Sequence, residues 1–361
     1  FKGIRVNSQS NPNQAIITAK AMNGCVFENI TFDHISTYVG GDHDNTGAVV
    51  GYATTNCTFK NITVKNSDFT ANQNQAGAVV GHAKNCTFEN IKVEHCKSTA
   101  RTSYTGGVAG RTDDCTISDV EILGTLIKTV EQYGGGVVGY STNTHFTNCV
   151  VDDQSCVLVG GVNDGAHAGG ITGYGKKTTI SNCINSALIA ADHWDAGGIV
   201  GNNENSNIVG CLNTGMVIGI PMDDVEKGFY TKYKTKTDMT YVTKTYQGKE
   251  YAIRKYEGGS FNKSMDGFHN DYGGIAGYMP DGNVSKCVNL GSIYCTSESK
   301  EAGGIAGRIN KGTISDCLSD FSVDGYGICK FRGGNGISVN NCLNMTTYKD
   351  ISAFNNLWGD F

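Results

Sequence analysis

Gly303-Gly-Ile-Ala-Gly-Arg-Ile-Asn-Lys-Gly-Thr-Ile-Ser-Asp-Cys317 decides the fold, because close copies of this stretch recur along the chain. They stand at 47 to 62, 77 to 91, 106 to 120, 135 to 149, 169 to 183, 197 to 211 and 273 to 287, with degenerate copies near 15 to 30 and 328 to 342. Anchored on its last glycine, the motif falls at Gly51, Gly81, Gly110, Gly139, Gly173, Gly201, Gly277 and Gly307. The period is therefore about 29 residues, with one large interruption. The seventh residue after the anchor is apolar throughout: Phe88, Ile117, Phe146, Ile180, Ile208, Val284 and Ile314, with Phe59 one place later. The tenth makes a second column, Ile91, Val120, Cys149, Cys183, Cys211, Cys287 and Cys317, with Ile62 again shifted by one.

A unit this short can neither close an apolar interior nor pair its own backbone, whereas stacked copies do both. The 49 glycines, 3 prolines and many Asn, Thr, Val and Ile residues suit short strands joined by tight turns. Cys57-Thr-Phe-Lys-Asn-Ile-Thr-Val-Lys65 and Cys86-Thr-Phe-Glu-Asn-Ile-Lys-Val-Glu94 alternate at period two, with a slip at the Asn that reads as a bend. The expectation is an all-β chain built as a parallel β-helix, or β-solenoid, of about nine to ten coils.

Between Gly201 and Gly277 the step is 76 residues, which marks residues 221 to 272 as an insertion into one loop. Residues 1 to 220 and 273 to 361 then form one continuous solenoid. The insertion is rich in Tyr and Lys, including Tyr233, Tyr241, Tyr246 and Tyr251, and has no cysteine. Tyr230-Thr-Lys-Tyr-Lys-Thr-Lys236, Thr240-Tyr-Val-Thr-Lys-Thr-Tyr246 and Lys249-Glu-Tyr-Ala-Ile-Arg-Lys-Tyr256 read as three strands of an antiparallel β-meander, the last two joined at Gln247-Gly248. Alternation sets Tyr241 off the face of Tyr246, so one aromatic face packs on the solenoid and the other points outward.

The 14 cysteines do not read as a disulfide framework. Those at the tenth position replace Ile and Val of earlier copies, so a small buried apolar group is what the place requires. Cys57, Cys86 and Cys115 form another column, where later copies carry Thr144, Thr178 and Ser206. Residues in register lie ~4.8 Å apart along a sheet, beyond the Cβ separation of ~3.8 Å that a disulfide prefers. Cys96, Cys156, Cys295 and Cys329 lie off the columns.

Composition and motifs exclude several functions. With 29 basic and 34 acidic residues the formal net charge is -5 and no basic run is present, so nucleic acid is not an expected partner. No apolar stretch reaches the ~20 residues that span a bilayer. The His-Glu-x-x-His metallopeptidase signature, the Gly-x-Ser-x-Gly elbow, a phosphate loop and a Cys-x-x-Cys pair are all missing from the sequence. No catalytic residue, metal ligand or cofactor is assigned. Polar residues just before the paired glycines line one edge of the stack: Asp42 and His43, Asp164 and His167, Asp192, His193, Trp194 and Asp195, and His269 with Asp271. These and the insertion's tyrosines are the candidate ligand-binding residues, Trp194 and the tyrosines as surfaces for a sugar ring.

Gly197-Gly-Ile-Val-Gly201 with Cys211-Leu-Asn-Thr-Gly215, and Gly273-Gly-Ile-Ala-Gly277 with Cys287-Val-Asn-Leu-Gly291, resemble the GLUG motif, a repeat of bacterial surface and secreted proteins. Copies before residue 121 depart from it, carrying cysteine in the earlier column and lacking the Asn-Thr-Gly ending. The resemblance implies a right-handed parallel β-helix in an adhesin-like, noncatalytic protein of the cell surface or extracellular space. Its expected partner is a host or bacterial surface glycan or protein, and further domains are expected outside these residues. Two other readings stand beside it: a stalk or spacer module of a larger surface protein, and a polysaccharide-active enzyme using the acidic edge.

Overall fold

In the computed structural model, residues 1–9, 12–41, 44–160, 165–192, 194–219, 239–256, 271–295, 301–320, 327–331 and 336–345 are described. One coil shows the plan. A short strand ends on the first glycine of the motif (Asn45–Gly47), a second follows the corner (Val50–Thr54), a long bent strand comes next (Thr58–Lys65), and a fourth closes the turn (Asp68–Ala71). Successive coils stack in parallel, giving two nine-stranded sheets and one 23-stranded sheet that wraps the remaining two faces. The fold is a β-solenoid of about nine turns, without a helix among the described residues.

The columns seen in the repeat are the registers of the sheets. Phe59 faces Phe88, Phe88 faces Ile117, and Ile117 faces Phe146; the column continues through Ile180, Ile208, Val284 and Ile314, all with no exposed surface. The slip in the long strand is a bend in the left-handed region: Asn61, Asn90, Asp119 and Asn148 sit at φ 53°, 53°, 55° and 55°. Asn and Asp adopt that conformation more readily than other non-glycine residues, and their side chains bridge coils, Asn61 Nδ2 donating to Asn29 Oδ1 at 2.8 Å and Asn90 Nδ2 to Asn61 Oδ1 at 2.8 Å.

The paired glycines are required by close approach. A Cβ on Gly198 would lie 2.1 Å from Gly274 O and 2.3 Å from Asn213 Cγ. The inward position that meets this second glycine is Ile122 and Val151 at Gly107 and Gly136 and becomes Asn185, Asn213 and Asn289 later; in the two coils before, Val64 and Val93 hold the same register where the motif carries Ala48 and Ala78 in place of that glycine. These asparagines are fully buried and satisfied by one another: Asn185 Nδ2 donates to Asn213 Oδ1 at 2.9 Å, and Asn213 Nδ2 to Asn289 Oδ1 at 2.8 Å. Gly215 N donates in turn to Asn213 Oδ1 at 3.2 Å, which explains the Cys-Leu-Asn-Thr-Gly ending.

Every cysteine whose side chain is described is a free thiol, and Cys295 is outside that set. Column thiols donate to the carbonyl two residues back, as Cys183 to Ser181 O and Cys287 to Ser285 O, both at 3.2 Å. Off the columns, Cys96 and Cys329 are pushed up to about 12 by burial, so they are inert thiols.

The insertion contributes an antiparallel pair, Met239–Tyr246 with Lys249–Tyr256, turning at Gln247 (φ 48°) and Gly248 (φ 71°), the two positive φ values of a type I′ turn. The strand expected at 230–236, with Tyr233, lies outside the described residues. The coils on either side of the insertion stack directly, Val217–Gly219 pairing with Ile293–Cys295. No described helix is long and apolar enough to cross a membrane.

Candidate functional site

Two places on the solenoid gather chemistry. The first is the edge expected from sequence, where the strand entering the glycine corner meets the strand leaving it. His167 and Asp195 hold equivalent positions on adjacent coils, and His167 Nδ1 lies 2.9 Å from Asp195 Oδ2. Both are buried, at 5% and 1% exposure, and Asn202 Nδ2 donates to the same oxygen at 3.3 Å. Trp194 meets His167 edge-on at 6.4 Å, with its backbone at φ 82°, a strained conformation for so bulky a residue. Asp271, one coil further along, has its carboxylate 3.0 Å from Arg308 Nε, and that guanidinium lies 4.1 Å over the Tyr278 ring. Asp192 is half-buried at the other end of the same turn, its N–H donating to Val159 O at 2.8 Å. Asp42, His43, Asp164, His193 and His269 lie outside the described residues.

The edge also carries residues that the sequence reading passed over. Tyr104 and Tyr133 precede His167 in its column and stack at 5.2 Å, and Tyr133 stacks on His167 at 5.0 Å. Across the corner, Tyr52, His82, Arg111, Tyr140 and Tyr174 occupy one register position, the residue immediately after the anchor glycine. That signal stood in the repeat alignment: a large polar or aromatic residue follows the glycine in copy after copy, where an ordinary surface position would drift. Burial pushes the Tyr133 hydroxyl up to about 12 and raises Tyr104 and Tyr174 as well, so all three are neutral phenols at physiological pH.

The second place is under the hairpin. In the long strand, the residue after the second column faces outward: Thr63, Lys92 and Glu121 in early coils, then Val150, Ile184, Leu212, Val288, Leu318 and Leu343. The polar face becomes an apolar stripe, and the hairpin lands on it. Ile253, Tyr246 and Tyr251 pack against Leu212, Val288 and Leu318. Lys244 anchors one side, donating to Leu290 O at 3.2 Å and pairing with the Asp320 carboxylate at 3.2 Å. Arg254 anchors the other, against the Asp153 carbonyl and carboxylate, while Ser292 Oγ donates to Arg254 O at 2.8 Å. The tip does not close down fully. It leaves a cleft of about 530 Å³ with a floor of Ile184, Leu212 and Val288, walls of Tyr246 and Tyr251, and a rim that includes Asn182, Gln247 and Lys286. Tyr241 lies on the opposite face of the hairpin, 42% exposed, as its alternation with Tyr246 required.

The arrangement can hold an amphipathic ring in the cleft. The floor and walls take an apolar face, the rim amides and ammonium meet hydroxyls, and burial raises both phenols above their ordinary value. No model of a known protein family matches this chain, and no curated protein matches it.

Proposed function

We propose that this chain is a noncatalytic, adhesin-like repeat protein of the bacterial cell surface or secreted fraction, of the GLUG-motif kind, and that it binds glycan in the cleft under the hairpin. The observation that carries the reading is the cleft: two tyrosines over an aliphatic floor, with amides at the rim, under a hairpin held on the solenoid by ion pairs at Lys244 and Arg254. Pyranose rings offer the complementary surface, an apolar face of C–H groups bordered by hydroxyls.

Binding is favoured over hydrolysis by the state of the acidic edge. A glycosidase sets two carboxyl groups facing the scissile bond, one of them free to give a proton. Here Asp195 is buried against His167 and Asn202, and Asp271 is buried against Arg308.

A glycan-array screen followed by calorimetry on the best ligand tests the reading. Tyr246→Ala and Tyr251→Ala each remove a wall of the cleft and are expected to weaken binding at least ten-fold, roughly 1.4 kcal/mol. The thermal midpoint is read on the same samples to show that the solenoid persists. Unchanged affinity in both variants would move glycan binding away from the hairpin, and a screen without any glycan hit would remove the reading altogether.

A further inference from the structure

The tyrosine-lined edge is a long trough, and nothing in the hairpin cleft requires it. Across the corner, Asn45, Gln75 and Tyr104 face Tyr52, His82 and Arg111, one residue of each set per coil. At the Asn45 end the trough opens into a depression of about 430 Å³ lined in part by Asn13, Asn45, Tyr52, Gln75, His82 and Arg111. Further along, Tyr140 stacks on Tyr104 at 5.1 Å and on Tyr174 at 5.2 Å, so the rings use their faces on each other. Tyr104, Tyr133, Tyr140 and Tyr174 are half-buried in these two columns.

From this trough we infer a second binding site, for an extended, neutral, linear polysaccharide lying along the solenoid axis. The inference rests on the reading of the chain as a glycan binder and adds a polymer site on a different face. Three features carry it. Hydrogen-bonding side chains recur at the same two register positions in each coil, ~4.8 Å apart, and an extended hexose chain advances by a similar length per residue, so successive sugars meet successive polar groups. Between the charged groups lie neutral hydrogen-bonding partners: amides at Asn45 and Gln75, and phenols at Tyr104 and Tyr133 whose hydroxyls burial raises further above their ordinary value. The charges beside the rings neutralise one another, Asp113 accepting from Arg111 Nε at 2.9 Å with His82 Nε2 2.8 Å away, and Glu204 held by Lys176 at 2.8 Å and by the Tyr174 hydroxyl, while Lys20 stands exposed at the open end. An acidic polymer would find the cations beside the rings, Arg111 and Lys176, already committed.

Calorimetry with neutral β-1,4-linked gluco- and manno-oligosaccharides from two to six residues long tests the site, with polygalacturonate as the acidic comparison. Affinity is expected to rise at least ten-fold from disaccharide to hexasaccharide. Tyr140→Phe keeps the ring stack and removes a hydroxyl at the middle of the trough, and His82→Ala removes a group nearer its open end; each is expected to cut hexasaccharide affinity several-fold, while Tyr246→Ala leaves it unchanged. Binding that does not grow with length, wild-type hexasaccharide affinity in both trough variants, or tighter binding of polygalacturonate would overturn the inference. If hexasaccharide binding is lost in Tyr246→Ala alone, the trough is refuted and the cleft stands; if no glycan binds at all, both fall.

Discussion

At Cys183 and Cys211 the stack asks for a small side chain with no need of water, and a thiol donating to the carbonyl two residues back meets that need. Ile and Val fill the same column elsewhere, so Cys183→Val and Cys211→Val should shift unfolding free energy by no more than ~1 kcal/mol. Cys211→Asp buries a carboxylate with no counter-charge beside it, and a loss of several kcal/mol is expected in denaturant titration. A thiol assay in denaturant without reductant should find all 14 cysteines reactive; a count in which most are blocked would contradict the columns. Asp113 offers a pH test. Burial would raise its carboxyl, but the hydrogen bonds from His82 and Arg111 outweigh that and hold it below the ordinary carboxylate value. A depressed folded value means that stability is fully present above the unfolded value of about 3.9 and is lost as pH falls through the folded one. Asp113→Asn should therefore lower the thermal midpoint at pH 7 and flatten its decline below about pH 4. A wild-type slope in the variant would show that the pairing contributes little.

The inserted hairpin was legible as an element and illegible as a contact. Gln247-Gly248 between alternating strands specified the turn, and alternation separated Tyr241 from Tyr246. Which face turned inward depended on what the solenoid offered beneath it, and that information lay outside the insertion. It was nonetheless in the sequence, since the residue after the second column changes from Thr63, Lys92 and Glu121 to Val150, Ile184, Leu212 and Val288. A repeat read only for its inward columns hides such a stripe, and the tyrosines after the anchor glycine were missed for the same reason. The stripe makes a prediction. Deleting residues 222 to 270 should leave a folded solenoid by circular dichroism, but one that binds a hydrophobic dye and self-associates in sedimentation, because Leu212, Val288 and Leu318 lose their cover. Adding Leu212→Thr and Val288→Thr should suppress both effects. A deletion variant that is monomeric and dye-silent without these changes would show that the hairpin does not shield the stripe.

Across the whole molecule, repetition fixes the interior and leaves function to the faces. One hydrophobic cluster runs from Ala21 to Cys329, and the period that revealed it is the reason so much of the fold could be read from the chain. Binding surfaces obey no period: the cleft exists because one loop is long, and the trough because two outward columns happen to be aromatic over several coils. Of the edge acids that sequence singled out, Asp195 meets His167 and Asn202, and Asp271 meets Arg308, inside the edge. The most direct test of the central claim is a crystal structure of the chain soaked with the strongest glycan from the array screen. The account predicts a sugar ring in the cleft, its apolar face against Tyr246 or Tyr251 and its hydroxyls within hydrogen-bonding distance of Asn182, Gln247 or Lys286; glycan density elsewhere on the solenoid with the cleft left empty would contradict it.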